Sequence, residues 1–331
     1  MKDTAMPDYS YIVADIGGTN VRLAAYHGDH KTDQAQYSTK SDGALLNLIK
    51  EFASAQTTRP EIIVVAAAGP VADNRVTLTN AQQTLCGADL RTATGAAEAY
   101  IINDFAAAAW ATHAPAPNDL IHLQGPATPP DGTRLVIGPG TGLGVGALAF
   151  TADGYTSIPG EGGHIGIGPR YASEVAIFDA LRTLWPEVFF KDTLVAEAEA
   201  LLSGTGLPYL YQAVAITHGS IGTAPDAPTL MATARDDTDP FATQTIALFK
   251  SHLAQASGDF ALTFGAGAVF LVGGVAMKNP WLFDSDFVND VRAGGRFSDK
   301  RGQLGLYLLN SGNFGLDGAR AFARQRLAQR N

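Results

Sequence analysis

Two glycine-rich turns in this chain have the composition of phosphate-binding loops. One is Ile16-Gly17-Gly18-Thr19-Asn20, and the other runs from Gly138 to Gly144 with the sequence GPGTGLG. Because glycine has no Cβ, several backbone N–H groups of such a turn can approach one anion. A plain tight hairpin is the alternative for each turn. The sequence contains no Walker A loop and no G-x-G-x-x-G motif. The main sequence motif that would indicate a Rossmann-type dehydrogenase is therefore absent.

Acidic residues stand where predicted strands end. Asp15 closes the first apolar run beside the first glycine turn, where its carboxylate could hold Mg²⁺ or its waters near phosphates. Asn103-Asp104 ends another run and precedes a helix, and ligands of α/β sheets bind at the carboxyl ends of strands. Asp104 is the candidate general base, and the helix macrodipole favours its ionised form. The alternatives are a turn-opening Asp15 and an N-capping Asp104.

A third group lies on the loop Pro159-Gly160-Glu161-Gly162-Gly163-His164. It places a carboxylate and an imidazole three residues apart, and together they have the donors and acceptors to bind hydroxyl groups. The alternative is a flexible loop with two solvated side chains.

Strands and helices that would position these residues alternate twice along the chain, with a glycine turn opening each half. This pattern predicts a duplicated α/β architecture. The predicted strands are Tyr11–Ala14, Val21–Tyr26, Glu61–Ala68, Ala99–Ile102, Arg134–Ile137, Val145–Phe150, Ala268–Val272 and Leu304–Leu309. The predicted helices are Gly43–Ser54, Phe105–Thr112, Ser173–Leu184, Ala196–Leu202, Thr243–Thr263 and Asp317–Gln329, and Thr217–Asp239 is predicted to be a mobile loop or insertion.

Composition narrows the functional classes. The chain has 331 residues, 46% of them hydrophobic and 17% charged, and a formal net charge of −9. A chain this long and apolar can bury a large core, and an acidic chain without a basic run is a poor binder of nucleic acids or anionic membranes. The single cysteine, Cys86, excludes an internal disulfide and a multi-cysteine zinc site. The uncharged stretch Phe260–Met277 contains four glycines and reads better as a helix end, a turn and a buried strand than as a membrane span.

Five segments together resemble the bacterial glucokinases of the non-zinc type, ATP-dependent sugar kinases of the hexokinase–actin–heat-shock-ATPase superfamily. They occur in the family's order and are Asp15–Arg22 (DIGGTNVR), Ile102–Ala106 (INDFA), Gly138–Gly144 (GPGTGLG), Pro159–His164 (PGEGGH) and Leu271–Val275 (LVGGV). Two places depart from the family's pattern: Ala81-Gln82-Gln83 follows Thr79-Asn80, and Ile165-Gly166-Ile167-Gly168 follows His164.

The resemblance implies a role for each matching residue. Asp104 would be the catalytic base, and Asp15 would lie near Mg²⁺, with water between them. The implied sugar ligands are Asn103, Asp104, Glu161, His164 and, from a stretch similar to the family's E-x-x-L-S-G, Glu199. The implied nucleotide-binding residues are Ala14, Asp15, Ile16, Gly17, Gly18, Thr19, Gly138, Gly140, Thr141, Gly142, Gly273 and Gly274.

The resemblance also implies a fold and an activity. The fold would be the duplicated ribonuclease-H-like, actin-like ATPase fold, with two α/β domains and a cleft between them. The small domain would comprise residues 1–113 plus 312–331, and the large domain residues 114–311. The activity would be phosphorylation of D-glucose to glucose 6-phosphate by ATP with Mg²⁺, feeding glycolysis, in a cytoplasmic homodimer. A non-catalytic sugar sensor and an actin- or chaperone-like ATPase are the alternatives.

Overall fold

The chain divides into two compact units. The first comprises Met1–Ala116, Thr151–Pro159 and Ser311–Asn331, and the second comprises Pro117–Phe150 and Gly160–Asn310. The structure is a computed structural model, and it describes residues 8–39, 44–78, 82–115, 117–158 and 160–330. The predicted large domain included residues 151–158, whereas the structure groups them with the first unit.

The first unit is built on a sheet that begins with the predicted hairpin. Its elements are β1 (Ser10–Ile16), β2 (Asn20–His27), β3 (His30–Ser38), α1 (Leu45–Ser54), β4 (Ile62–Ala67), β5 (Val71–Ala72), β6 (Arg75–Leu78), β7 (Gln83–Cys86), α2 (Gly87–Thr94), β8 (Glu98–Asn103), α3 (Asp104–Ala111), β12 (Gly154–Ile158) and α12 (Phe314–Ala328). The sheet order is β3-β2-β1-β4-β8, and β5, β6 and β7 form a second, small sheet. Strand β1 pairs antiparallel with β2 and parallel with β4, which in turn pairs parallel with β8.

Every residue of β4 is buried, as expected for a strand covered on both faces. Helix α12 packs on β1, on β4 and on α3, so the C-terminal helix belongs to the N-terminal unit. Its residue Gln325 fixes β12 there by accepting from the backbone N–H of Tyr155 at 2.9 Å and donating to its carbonyl at 2.7 Å.

The second unit repeats this strand arrangement. Its elements are β9 (Leu120–Gln124), β10 (Arg134–Pro139), β11 (Leu143–Thr151), β13 (Gly166–Ile167), α4 (Val175–Leu184), β14 (Ala196–Glu197), α5 (Ala198–Leu202), α6 (Gly206–Thr217), α7 (Ala227–Arg235), α8 (Pro240–Phe264), β15 (Ala268–Leu271), α9 (Gly273–Lys278), α10 (Ser285–Arg292), α11 (Ser298–Gly302) and β16 (Gly305–Leu309). Its strands follow the order β11-β10-β15-β16-β9 in the sheet. An antiparallel hairpin, β10 with β11, is again followed by two parallel partners, β15 and β16.

Two sequence-based assignments of element type need correction. The predicted loop Thr217–Asp239 contains a helix, α7, which begins after the N-cap Asp226 and buries Leu230 and Met231. Burial of these two side chains outweighs the Gly, Pro and Asp content that indicated a loop. The predicted helix Ala196–Leu202 starts only at Ala198, because its first two residues pair with β13.

The helix predicted from Gly43 begins at Leu45, and Gly43 itself lies outside the described residues. The residues Thr79, Asn80, Ala81 and Pro159 of the family comparison lie outside them too. The elements without a prediction of their own are the strands β3, β5, β6, β7, β9, β12, β13 and β14 and the helices α2, α6, α9, α10 and α11.

The uncharged stretch that begins at Phe260 has the predicted form. Helix α8 ends at Gly265, which adopts φ 61°, and β15 follows with all four residues buried. Within the described ranges, no helix is long and apolar enough to cross a membrane.

Candidate functional site

The first glycine turn connects β1 to β2. Gly17 donates its N–H to the carbonyl of Asn20 at 2.9 Å, and the carbonyl of Thr19 accepts from the N–H of Thr39 at 3.0 Å. Gly18 and Thr19 are exposed, whereas the side chains of Ala14 and Ile16 lie in the core. Among the predicted nucleotide-binding residues of this turn, Gly18 and Thr19 are therefore the ones open to an anion.

Asp15, at the end of β1, lies between a cation and a helix end. Its Oδ2 is 3.6 Å from Nη1 of Arg22 on β2, and that Nη1 also donates to the carbonyl of Gly312 at 3.0 Å. A Cβ on Gly315, in the first turn of α12, would come within 2.5 Å of the Asp15 carboxylate. Burial raises the pKa of Asp15, and the charge of Arg22 opposes this shift. Gly315 therefore makes room for a carboxylate that is held at this edge of the sheet.

The sequence left open whether Asp104 is a general base or the N-cap of α3, and the structure shows which residue is the cap. Asn103 is the N-cap of α3, since its Oδ1 accepts from the N–H of Phe105 at 2.8 Å and from that of Ala106 at 3.3 Å. Its Nδ2 donates to the carbonyl of Gly69 at 2.9 Å, and the Asn103 side chain also hydrogen-bonds the Asp104 carboxyl, which lowers the pKa of that carboxyl. Asp104 is thus the first helical residue and not the cap, so the N-cap alternative for Asp104 is wrong.

The pKa of the Asp104 carboxyl is raised above its ordinary value. Burial raises the pKa of Asp104 to about 6, hydrogen bonding from the N–H of Phe105 opposes the shift, and the charge of Asp15 adds to it. The backbone N–H groups at the helix end favour the ionised form, as expected, but desolvation outweighs them and raises the pKa. At pH 7 the carboxyl is still ionised roughly ten to one, and a pKa near the working pH suits a general base.

The second glycine turn is attached to the segment that joins α5 to α6. Gly140 donates to the carbonyl of Gly142 at 2.8 Å, and the carbonyls of Gly140 and Thr141 accept from the N–H groups of Gly204 and Thr205 at 2.8 and 3.2 Å. Thr205 also donates through Oγ1 to the carbonyl of Thr141 at 2.9 Å. The carbonyls of the turn are thus directed into the protein.

Glu199, a predicted sugar ligand, also contacts this turn. Its Oε2 accepts from the N–H of Leu143 at 2.8 Å, and a Cβ on Gly142 would lie 2.4 Å from the same oxygen. One carboxylate oxygen of Glu199 is therefore committed to the turn. Nearby, Gly273 adopts φ 88°, and a Cβ there would lie 2.7 Å from the carbonyl of Pro139, so this position requires glycine. Gly274 has open space around it.

His164 ends a short 3₁₀ turn, Gly162–His164, that packs on the start of β11. A Cβ on Gly163 would lie 2.2 Å from the carbonyl of Leu143, so the turn can approach only as glycine. Nδ1 of His164 lies 2.8 Å from Oε2 of Glu197, and the hydrogen bond with Glu197 is the main cause that raises the pKa of His164. Glu161 is exposed, and its charge adds to that shift.

The predicted site residues thus fall into two groups, each within one unit. The first unit holds Asp15, Asn103 and Asp104 with the first turn, and the second unit holds the remaining ligands and loops. Sequence reasoning missed Arg22, Gly315 and Glu197 as neighbours of these residues. Arg22 stands opposite Asp15 in the hairpin register, which the sequence could have indicated. Gly315 and Glu197 come from distant segments and carry no such signal.

The chain is similar to known proteins over most of its length. The glucokinase family model matches residues 12–326. A glucokinase of Sinorhizobium fredii is 36% identical over 290 residues, which are 84% of this chain and 81% of the relative. The crystal structure of a glucokinase from an Antarctic psychrotroph superposes with a TM-score of 0.85 at 28% identity, covering 95% of this chain and 98% of that one.

A more distant solved structure contains two bound ligands. The ROK family glucokinase of Streptomyces griseus, in complex with glucose and AMPPNP, superposes with a TM-score of 0.55 at 20% identity over 96% of this chain and 99% of that one. The similarities confirm the predicted actin-like ATPase fold. With the family model spanning nearly the whole sequence, they show that the chain belongs to the glucokinase family.

Proposed function

We propose that this protein transfers the γ-phosphoryl group of ATP to the 6-hydroxyl of D-glucose. The observation that carries the proposal is the position of the Asp104 carboxyl, which is partly buried at the start of α3 and close enough to Asp15 for the two charges to interact, with its pKa raised to about 6. The named activity of the family and the glucose and AMPPNP complex of the Streptomyces griseus structure support the choice of substrates.

Asp104 is the group we propose as the base. Its carboxylate would accept the proton of the 6-hydroxyl while that oxygen forms a bond to the γ-phosphorus. The bond from this phosphorus to the bridging oxygen would break, so ADP leaves with the bridging oxygen. Such proton transfer contributes typically 10²–10⁴ in rate, and the rest comes from positioning and charge neutralisation.

Sugar hydroxyls have further partners in our proposal. In the first unit, Asn103 caps α3, donates to the carbonyl of Gly69 and hydrogen-bonds Asp104, so its amide is fixed next to the proposed base. In the second unit, Glu199 has Oε1 left when Oε2 binds the turn, and His164 and Glu161 are exposed. We propose that all four bind glucose.

Phosphate groups would be bound by backbone amides of the two turns, from Gly18 and Thr19 in one and from Thr141 and Gly142 in the other. Within the residues the structure describes, no group of three or more His, Cys, Asp and Glu could hold a metal ion. In kinases, phosphate oxygens and waters complete the coordination shell of Mg²⁺, so one or two carboxylates are enough. The single carboxylate of Asp15 meets this requirement. When bound, Mg²⁺ would neutralise phosphate charge, and Asp15 would orient its waters.

We further propose that the enzyme acts as a homodimer in the cytoplasm and supplies glucose 6-phosphate to glycolysis, as the family resemblance implies. The acidic composition and the single cysteine are compatible with a reducing compartment.

A coupled assay tests the reaction class. Purified protein is incubated with ATP, Mg²⁺ and, in separate wells, glucose, mannose, fructose or glucosamine, and ADP formation is followed. We expect sugar-dependent ADP formation that is greatest with glucose and very low without sugar. ATP hydrolysis at the same rate with and without each sugar would support an actin- or chaperone-like ATPase. Sugar binding without turnover would support a sensor.

A further inference from the structure

Glu197 is outside the predicted sugar ligands, yet it is the hydrogen-bond partner of one of them. Nδ1 of His164 lies 2.8 Å from Oε2 of Glu197. An ionised carboxylate only accepts hydrogen bonds, so Nδ1 carries a proton and donates it to Glu197. Nε2 is then the ring atom left for a ligand. In the part of the chain that the structure describes, no protein group pairs with Nε2 of His164.

Backbone contacts fix both partners. Glu197 is in β14, and its register partner in β13 is Gly166, two residues after His164. The N–H of Ala198 donates to the carbonyl of Ile165 at 2.8 Å, which ties the chain next to Glu197 to the chain next to His164. The pair is therefore held by the surrounding backbone and does not depend on two long, free side chains meeting in solvent.

The charges around the ring are all negative. Besides Glu197, the groups that act on His164 are Glu199 and Glu161, and all three raise its pKa, while partial burial opposes them. The His164 side chain is 52% exposed and that of Glu197 is 32% exposed, so a ligand can reach the outer edge of the ring.

We propose that Glu197 is a positioning residue that fixes the ring plane and tautomer of His164, so that Nε2 meets a sugar hydroxyl. The proposal rests on the proposed function, in which His164 binds glucose. In the neutral ring with Nδ1 protonated, Nε2 accepts from a sugar O–H, and in the protonated ring, which the raised pKa of His164 favours, Nε2 donates to a sugar oxygen. Without Glu197 the ring would be free to rotate and to move its proton to Nε2, and this acceptor would be lost.

Two variants separate orientation from charge. Glu197→Gln keeps an oxygen that accepts from Nδ1 but removes the charge, and Glu197→Ala removes both. We expect ¹⁵N NMR of His164 to show a lowered pKa in both variants, with the Nδ1–H tautomer kept in the Gln variant and lost in the Ala variant. Glu197→Ala should raise the KM for glucose about tenfold, as for one lost hydrogen bond, with kcat changed much less. Glu187→Gln, an exposed change elsewhere in the unit, is the matched control and should alter neither.

The outcomes separate this proposal from the proposed function. An unchanged His164 pKa and tautomer in Glu197→Ala, or an unchanged KM for glucose, overturns the positioning role. If Glu197→Ala does not fold, loss of the Nδ1–H tautomer in Glu197→Gln, which keeps the accepting oxygen, overturns it instead. If His164→Ala leaves the KM for glucose unchanged, the sugar-binding role of His164 fails. The NMR result then still decides whether Glu197 controls the ring.

Discussion

Replacing Asp104 with Asn removes the proposed base while keeping the shape of the side chain. The Oδ1 atom of Asp104 accepts from the N–H of Phe105 at 3.0 Å, and an Asn amide oxygen can do the same. Asn103 caps the helix, so the cap is untouched. We expect kcat to fall by ~10²–10⁴, the usual contribution of a general base, with a much smaller change in glucose affinity.

The same substitution should stabilise the fold. The pKa of Asp104 rises from 3.8 to about 6, so the ionised carboxyl is less stable in the folded chain than in the unfolded one. At 1.36 kcal/mol per pKa unit, this cost approaches about 3 kcal/mol. A raised carboxyl pKa costs stability fully above pH ~6 and nothing below pH ~4. Asp104→Asn should therefore raise the free energy of unfolding at pH 7.5 by up to about 3 kcal/mol and leave it nearly unchanged near pH 4.

The assay combines kcat from coupled ADP formation with urea unfolding at both pH values. Asp226→Asn is the matched control, since Asp226 is an exposed N-cap of α7 that accepts from the N–H of Thr229 at 2.9 Å. It should leave kcat unchanged. Normal turnover in Asp104→Asn would refute the base assignment, and a loss of stability at pH 7.5 would refute the argument from burial.

Three further predictions follow from the site geometry. The acid limb of kcat/KM should have its midpoint near pH 6, because Asp104 must be ionised to accept a proton; a flat profile from pH 5 to 8 would contradict this. Gly315→Ala should lower kcat, because the new Cβ would collide with the Asp15 carboxylate. It should also lack the gain in stability of about 1 kcal/mol that Ala usually gives over Gly in a helix. Gly302→Ala, at a position with open space, should leave kcat unchanged. Glu199→Ala should raise the KM for ATP as well as for glucose, because it leaves the N–H of Leu143 in the second glycine turn without its acceptor, at a cost of about 1–3 kcal/mol. A raised KM for glucose alone would contradict a role of Glu199 in this turn.

Local sequence signals predicted the part of the fold that depends on them. The β1–β2 hairpin, the fully buried β4 and the glycine turns follow from short apolar runs and from residues without Cβ atoms, and the structure confirms them. Strand β3 was missed because seven of its nine residues are polar and none of the nine is buried, so no apolar alternation marks a buried face. Helix α7 was missed because its buried residues are few.

The site depends more on contacts between distant segments. The acidity of Asp104 could not be predicted, because it is set by burial and by Asp15, which is on β1, two strands from β8 in the sheet. The sequence indicated His164 through its glycine loop, but its partner Glu197 lies 33 residues further along the chain. Only the fold brings such residues together, so their coupling has no signature in a single sequence.

Identification of the phosphorylated product tests the central claim most directly. The protein is incubated with ATP, Mg²⁺ and glucose, and ³¹P NMR follows the phosphorus species, with 6-deoxyglucose as the matched sugar that lacks the accepting hydroxyl. We predict glucose 6-phosphate and ADP in equal amounts from glucose and neither product from 6-deoxyglucose. Inorganic phosphate in place of a sugar phosphate, or a phosphate on another hydroxyl, would contradict the proposed reaction.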